Sequence, residues 1–212
     1  MTYHITSTVD KPEYLNPLTD TRNVSDEFKG MATSIIRMSM DKRRVPAVNI
    51  AMNLTHDFNK ASVLRSHEAH AFKEFVLINR VNEQDPANLS GVKKFNKRGT
   101  VGTHLYANIR HSTDWKSVIE GYRNEGYTVF AVDNIESYNP KSIDEAVMPA
   151  KTVFVYGEEG LGLSDDVIQL CDEMIYIPQF GTPRSLNIAQ AASICMYEYA
   201  RQNKEAYANA FN

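Results

Sequence analysis

Cysteine is scarce in this chain, and long apolar runs are missing. Among 212 residues there are two cysteines, Cys171 and Cys195, each inside an apolar helical pattern, which favours buried reduced thiols over a disulfide framework or a metal site. No apolar run approaches the ~20 residues that cross a bilayer, and the N-terminal segment lacks the basic and apolar regions of a secretion signal. We therefore expect a soluble, cytoplasmic protein without a membrane partner or a metal ion.

The chain also lacks a strong excess of charge of one sign. Its net charge is −3 at pH 7, which argues against a general nucleic-acid coat but leaves room for a local basic face. The length and the 42% content of hydrophobic residues are sufficient for one domain with a sizeable core. We find no internal repeat and no low-complexity segment.

Alternating helices and strands predict an α/β fold. Apolar runs indicate strands at residues 48–54, 74–79, 127–133, 152–156 and 174–178. Helical patterns lie at residues 59–72 and 114–126, from residue 164 onward, and at about 185–204, while residues 80–113 form a polar, basic connection. Nearly continuous apolar strands separated by helices favour a mostly parallel sheet with helices on both faces, in three layers.

The N-terminal part is predicted to be an appendage to this sheet. Its first twenty residues are polar and contain prolines, which indicates an extended arm. A helical pattern begins at Asn23 or Ser25, and Pro46 ends it. One helical stripe in this stretch holds Phe28, Met31, Ile35 and Met38. The expected division is an N-terminal arm and helix at residues 1–45 and one domain at residues 46–212.

A glycine-rich turn with four acids follows the strand at 152–156. The stretch G-E-E-G-L-G-L-S-D-D, residues 157–166, lacks the lysine of a phosphate-binding loop, and its glycine spacing does not match G-x-G-x-x-G. Its carboxylates would repel a polyphosphate. Ser164 followed by two acids is typical of a helix N-cap, but this interpretation does not account for Gly157, Glu159, Gly160 and Gly162.

Two further segments lie where predicted strands end. One is N-K-A-S-V-L-R at residues 59–65, and the other is I-P-Q-F-G-T-P-R-S-L-N at residues 177–187. Ligands of parallel α/β sheets gather at the carboxyl ends of the strands. Taken alone, a serine or asparagine before a helix is most often a simple N-cap.

Taken together and in this order, the three segments resemble the signature motifs of the SpoU (TrmH-like) branch of the SPOUT RNA methyltransferases. The resemblance runs from about residue 48 to residue 203. It implies an α/β sheet with a C-terminal trefoil knot, a homodimer, S-adenosylmethionine as the cofactor, and transfer of its methyl group to a ribose 2′-hydroxyl of RNA. A cationic sulfonium is also compatible with the acidic turn, because nearby carboxylates are tolerable beside a positively charged sulfur.

The resemblance assigns roles to residues of all three motifs. It places Gly157, Gly162, Ile177 and Leu186 at the cofactor and gives Arg65 the central catalytic role. We expect Arg65 to hold the phosphate and ribose of the reacting nucleotide, because a guanidinium that stays protonated is a poor base. The residues expected to position Arg65 and the hydroxyl are Asn59, Glu159, Ser185 and Asn187.

RNA also requires a cationic path on the surface. The run K-K-F-N-K-R predicts RNA contacts from Lys93, Lys94, Lys97 and Arg98, and Arg110 lies in the same connection. Such a run is also typical of a solvated loop. The expected substrate is tRNA or rRNA, with tRNA guanosine preferred. The alternatives are a catalytically silent RNA-binding relative of the same fold and an unrelated phosphate-binding α/β enzyme.

Overall fold

One mostly parallel sheet organises the protein. The computed structural model describes residues 3–4, 16–80 and 95–211. Within them eight strands form the sheet in the order β1-β4-β3-β2-β7-β5-β8-β6, and all neighbours are parallel except β1 and β4. The strands are β1 (Tyr3–His4), β2 (Val45–Met52), β3 (Phe72–Ile78), β4 (Ile109–Ser112), β5 (Thr128–Val132), β6 (Lys141–Ser142), β7 (Thr152–Tyr156) and β8 (Glu173–Tyr176).

Helices cover both faces of this sheet, which confirms the predicted α/β class. They are α1 (Thr33–Arg43), α2 (Asp57–Ala69), α3 (Lys97–Thr100), α4 (Trp115–Asn124), α5 (Asp165–Leu170), α6 (Ile188–Gln202) and α7 (Lys204–Phe211). Side chains alternate along each strand: Phe154 and Tyr156 of β7 share one core with α2 and α6, while Val153 and Val155 share the other with α4 and α5. None of these described helices is long and apolar enough to span a membrane.

The predicted connection at residues 80–113 contains a strand that the sequence analysis did not predict, because the strand is largely polar. β4 reads I-R-H-S, and the polar side chains of Arg110 and His111 have partners inside the protein. Arg110 Nε donates to Glu74 Oε2 at 3.0 Å, and the Nδ1 atom of buried His111 lies 3.0 Å from Asn79 Nδ2. Because these partners come from β3 and its end, only the assembled sheet makes the segment a strand.

The predicted start of the N-terminal helix is wrong. A short 3-10 turn at Asp26–Phe28 comes first, and α1 begins only at Thr33. Gly30 interrupts the pattern with a φ of 78°, and its N–H donates to a carboxylate oxygen of Asp20 at 2.9 Å. A left-handed residue cannot continue a right-handed helix, so the two helical pieces remain separate.

The apolar stripe predicted for this stretch does not face the core along its whole length. Ile36 is 1% exposed, whereas Ile35 and Met38 are 38% and 58% exposed. Ile36 packs in a small cluster with Phe28 and Tyr106, so the face of α1 that meets the core is the one that carries Ile36. Pro46 does not end the helix, because α1 stops at Arg43 and Pro46 lies inside β2.

Both cysteines are free thiols; Cys195 is buried in α6 as predicted, whereas Cys171 is half-buried and lies just after α5. Burial raises the pKa of the Cys195 thiol to about 12, and burial followed by the nearby Asp172 carboxylate does the same for Cys171. A thiol with so high a pKa stays protonated at neutral pH and is a poor nucleophile.

Candidate active site

A chain of side-chain hydrogen bonds joins the three motif segments at the carboxyl edge of the sheet. The loops after β2, β7 and β8 lie at this edge because parallel strands end on the same side. Asn59, in the first turn of α2, donates from Nδ2 to Glu159 Oε1 in the loop after β7. Asn187 Nδ2 donates to Asn59 Oδ1 at 3.1 Å. The structure therefore brings Asn59, Glu159 and Asn187 into direct contact.

The Glu159 carboxylate is held by further donors from the loop after β2. Thr55 Oγ1 donates to Glu159 Oε2 at 3.0 Å, and the His56 backbone N–H donates to the same oxygen at 3.4 Å. His56 Nε2 lies 3.6 Å from this oxygen. Sequence reasoning missed Thr55 and His56. The available signal was their position directly after a strand, at the edge where ligands of such sheets bind.

The glycine turn after β7 has a specific backbone requirement at three positions. Glu158 and Gly162 exchange backbone hydrogen bonds of 3.0 and 2.9 Å, which closes the turn. A Cβ at Gly157 would lie 2.4 Å from the carbonyl carbon of Gly162, so only glycine allows this approach. Gly160 and Gly162 have φ values of 89° and 72°, in the left-handed region that favours glycine. The three glycines are therefore needed to form the turn itself.

The other acid of this turn, Glu158, is bonded to different neighbours. Its Oε2 atom accepts hydrogen bonds from Asn53 Nδ2 at 3.3 Å and from Arg80 Nη2 at 2.5 Å. The two consecutive glutamates therefore have different partners and different roles. Glu159 contacts the predicted catalytic segment, and Glu158 ties the turn to the ends of β2 and β3.

The end of β5 connects the glycine turn with the third motif segment. Asp133 Oδ2 accepts the Leu163 N–H at 3.2 Å, and Asn134 Nδ2 donates to the Arg184 carbonyl at 3.0 Å. Sequence reasoning missed this pair as well. Its signal was a polar V-D-N sequence at the end of a predicted strand, on the same edge as the motifs.

The third segment contributes one hydrogen-bonding side chain and two apolar side chains to the site. Asn187 caps α6 by accepting the Ala189 N–H at 2.9 Å. Its amide also donates to Asn59, so the residue is both an N-cap and a part of the site. Ile177 and Leu186 are half-buried, and Ile177 packs against the core. Ser185 is exposed just before the cap.

Arg65 lies on α2 and points to solvent. The helix is anchored beside α6, with Ser66 Oγ 2.8 Å from Ser193 Oγ. Within residues 16–80 and 95–211 the Arg65 guanidinium has no hydrogen-bond or ion-pair partner. Six residues along a helix separate Asn59 from Arg65 by about 9 Å of axial rise. Arg65 is therefore an exposed cation near, but not in contact with, the hydrogen-bonded chain.

The predicted RNA-binding cations do not all share one surface. Lys97 and Arg98 are exposed on α3, which packs against α2. Arg110 points to the opposite face of the sheet, where its Nη2 atom donates to the Tyr122 hydroxyl of α4 at 2.9 Å. Arg110 therefore does not join the patch that the sequence placed it in. Two further predicted contacts lie outside the described residues, namely Lys93 and Lys94.

Comparison with known proteins places these features in one family. The model of the SpoU rRNA Methylase family matches residues 46–197. A tRNA (guanosine(18)-2′-O)-methyltransferase of Aquifex aeolicus is 25% identical over 171 residues, covering 80% of this chain and 76% of the relative. One of the same description from Thermus thermophilus is 26% identical over 166 residues, covering 78% and 80%.

Solved structures share the fold. The A. aeolicus TrmH/SpoU tRNA modifying enzyme superposes with a TM-score of 0.71 at 23% identity, over 83% of this chain and 85% of that one. The SpoU methyltransferase AviRb of Streptomyces viridochromogenes, solved with AdoMet, gives 0.60 at 22% identity, over 76% and 62%. The family match spans all three motif segments and most of the sheet, and the chain therefore belongs to the SpoU rRNA Methylase family.

Proposed function

We propose that the protein transfers the methyl group of S-adenosylmethionine to a ribose 2′-hydroxyl of tRNA or rRNA. In this reaction a C–O bond forms to the ribose oxygen, the C–S bond of the cofactor breaks, and the hydroxyl proton is released. The observation that carries the proposal is the hydrogen-bonded chain Asn187–Asn59–Glu159, which spans all three motif segments. Guanosine in tRNA is the preferred target, because the two relatives described above are named for it.

The residues at the glycine turn fit the proposed cofactor. When bound, S-adenosylmethionine supplies a methyl group on a positively charged sulfur. Glu158 is paired with Arg80, so Glu159, which accepts hydrogen bonds from neutral side chains, supplies the negative potential that attracts a cation here. A Cβ at Gly160 would meet no atom within 4 Å, so the turn is open toward the surface. The proposed contacts are the main chain of Gly157 and Gly162 and the apolar side chains of Ile177 and Leu186.

The catalytic work of the chain is to hold the reacting groups in line. Arg65 binds the phosphate and ribose of the target nucleotide, because its guanidinium offers several donors and does not release a proton near neutral pH. Asn59, Asn187 and Glu159 fix one another and so fix the start of α2, which carries Arg65. Ser185 is exposed and available to contact the ribose. Orientation of this kind is a large part of the rate gain in a bimolecular transfer.

The test measures methyl transfer and cofactor binding separately. Purified protein is incubated with methyl-labelled S-adenosylmethionine and a tRNA or rRNA fraction, and the RNA is digested to nucleosides. We expect label in a 2′-O-methylnucleoside. Arg65→Ala should lower the rate by at least about 100-fold, as removal of one transition-state donor does, while calorimetry shows cofactor affinity within about threefold of the wild type.

The control for this variant is Arg123→Ala. Arg123 lies on α4, on the other face of the sheet, and pairs with Asp172 at 2.8 Å. Its loss should leave the rate within about twofold, since surface ion pairs contribute little. An active Arg65→Ala variant would contradict the assigned role, and RNA binding without any methyl transfer would support the catalytically silent alternative.

The proposal includes the expected division of the chain, its assembly and its location. Residues 1–45 would form an appendage and residues 46–212 a knotted methyltransferase domain. The family match begins at residue 46, which supports this boundary. α1 nevertheless packs on α7, where the Arg43 guanidinium lies 5.5 and 5.7 Å from the rings of Phe28 and Phe211. Exposed Ile194 and Tyr197 on α6 are the proposed homodimer contact, and the RNA substrates imply the cytoplasm.

A further inference from the structure

An aromatic side chain is exposed beside the candidate active site. Phe58 precedes Asn59 in the first turn of α2, and 62% of it is accessible to solvent. Single exposed apolar residues are common on protein surfaces and need no explanation. The surroundings of Phe58 therefore decide whether it has a function.

Phe58 shares one helix face with Arg65. The two residues are seven positions apart, which is close to two turns, so their side chains lie on the same side of α2. The axial separation is about 10.5 Å. Both are exposed, and the guanidinium of Arg65 has no partner within residues 16–80 and 95–211. The face thus presents an aromatic ring followed by a cation.

α3, which packs beside the ring, carries two more cations. A Cβ at Gly99 would lie 2.7 Å from Ala61 Cβ and 3.7 Å from Phe58 Cδ2, so α3 packs directly against this face. Lys97 and Arg98, in the same short helix, are exposed. Phe58 therefore lies on the α2 face that carries Arg65 and that α3, with exposed Lys97 and Arg98, packs against.

We propose that Phe58 stacks on an unpaired base of the RNA substrate while these three cations contact the neighbouring phosphates. The inference rests on the proposed function and adds a base-binding residue to it. An aromatic ring among cations matches the alternation of bases and phosphates in a single strand. A second copy of the chain that docked the same face would bring three like charges against these three, which disfavours a two-fold contact here.

The experiment compares an RNA that has bases with one that lacks them. The probes are a labelled oligoadenylate of about ten nucleotides and an abasic ribose-phosphate oligomer of the same length, with binding followed by anisotropy. Phe58→Ala should weaken oligoadenylate binding at least about fivefold, the lower limit for stacking of one base. Binding of the abasic oligomer should not change, and Phe58→Trp should retain the affinity for oligoadenylate.

Two further variants separate stacking from charge and from general surface effects. Lys97→Ala combined with Arg98→Ala should weaken binding of both oligomers and reduce the slope of log affinity against log salt by about 1.4, since each phosphate contact contributes about 0.7 on single strands. Phe58→Ala should leave that slope unchanged. Phe211→Ala is the matched aromatic control, because Phe211 is 50% exposed on α7 and away from α3.

Three results would overturn the inference. Phe58→Ala could bind oligoadenylate like the wild type, could lose both oligomers equally, or could change the sedimentation of the protein, which would assign Phe58 to a contact between copies. The experiment tests the stacking role separately from the proposed reaction. Wild-type methyl transfer with binding independent of Phe58 refutes only the stacking role, and Phe58-dependent binding without methyl transfer refutes only the reaction.

Discussion

The two ends of the sheet differ in how their polar groups are satisfied. At the amino ends of the strands lies a cavity of about 740 Å³, whose lining includes Lys42, Arg44 and Lys204. At the carboxyl ends the side chains of three separate loops bind one another, and the exposed Arg65 has no partner in the described part of the chain. A large cavity is the usual first candidate for a ligand site. Here the convergence of the loops identifies the site better than the cavity does.

Arg44 illustrates why the amino end is structural. Its guanidinium donates to Glu68 at 2.6 Å and to the backbone carbonyls of Phe72 and Tyr106 at 3.0 and 2.8 Å. The side chains of Arg44 and Glu68 are 4% and 6% exposed. These bonds join α2, β3 and the loop before β4, so the charge of Arg44 is used inside the fold.

The largest expected effect on stability comes from Arg44→Ala. Removing one partner of a buried ion pair leaves an uncompensated charge, which costs about 3–5 kcal/mol in the free energy of unfolding. Urea denaturation measures this loss, and methyl transfer per folded molecule should stay within about twofold. Lys42→Ala, an exposed cation of the same cavity, should change stability by less than about 0.5 kcal/mol. A catalytic defect in folded Arg44→Ala protein would blur the distinction between the two ends.

The stability of this variant should also depend on pH. Burial already raises the pKa of Glu68, and Arg44 opposes that rise. Without Arg44 the pKa in the folded state rises further, so the folded protein binds a proton that the unfolded chain has released. Stability then falls as the pH increases above the ordinary range of a glutamate, and Arg44→Ala should be more damaging at pH 8 than at pH 5.

A smaller effect is expected from the glycine turn at the other end. In Gly157→Ala the new methyl group would overlap the Gly162 backbone, and such overpacking costs about 1–3 kcal/mol. Gly121→Ala is the matched control, because a Cβ at Gly121 in α4 meets no atom within 4 Å and alanine favours a helix by up to about 1 kcal/mol. Urea denaturation of both variants checks this, and a Gly157→Ala protein as stable as the wild type would refute the close approach.

The sequence predicts the fold best where burial is uniform. β7 has the predicted bounds because all five of its residues are buried and its apolar side chains pack on both faces of the sheet. β4 escaped prediction because Arg110 and His111 find partners only in the assembled sheet. α1 began late because Asp20, ten residues before Gly30, binds its N–H and stabilises a turn. Such distant polar contacts leave no periodic signal in the chain.

The candidate site also depends on polar contacts between distant residues, which the sequence does not reveal. Sequence motifs indicate that Asn59, Glu159 and Asn187 belong to one site, but not which atoms meet. Thr55 and Asp133 escaped prediction because their task is to hold a carboxylate and a backbone N–H across the edge of the sheet. The fold likewise separates Arg110 from Lys97 and Arg98, because Arg110 bonds to Tyr122 on the other face of the sheet from α3.

The most direct test of the convergence of the loops is a double-mutant cycle on kcat/KM for methyl transfer with Asn59→Ala and Asn187→Ala. Because the two amides are hydrogen-bonded, the double variant should lose less activity than the product of the single losses, by a coupling energy of at least about 0.5 kcal/mol. Asn59→Ala with Asn203→Ala, whose amide binds the Met148 carbonyl near the amino ends of the strands, should be additive. Losses that multiply for both pairs would contradict the account.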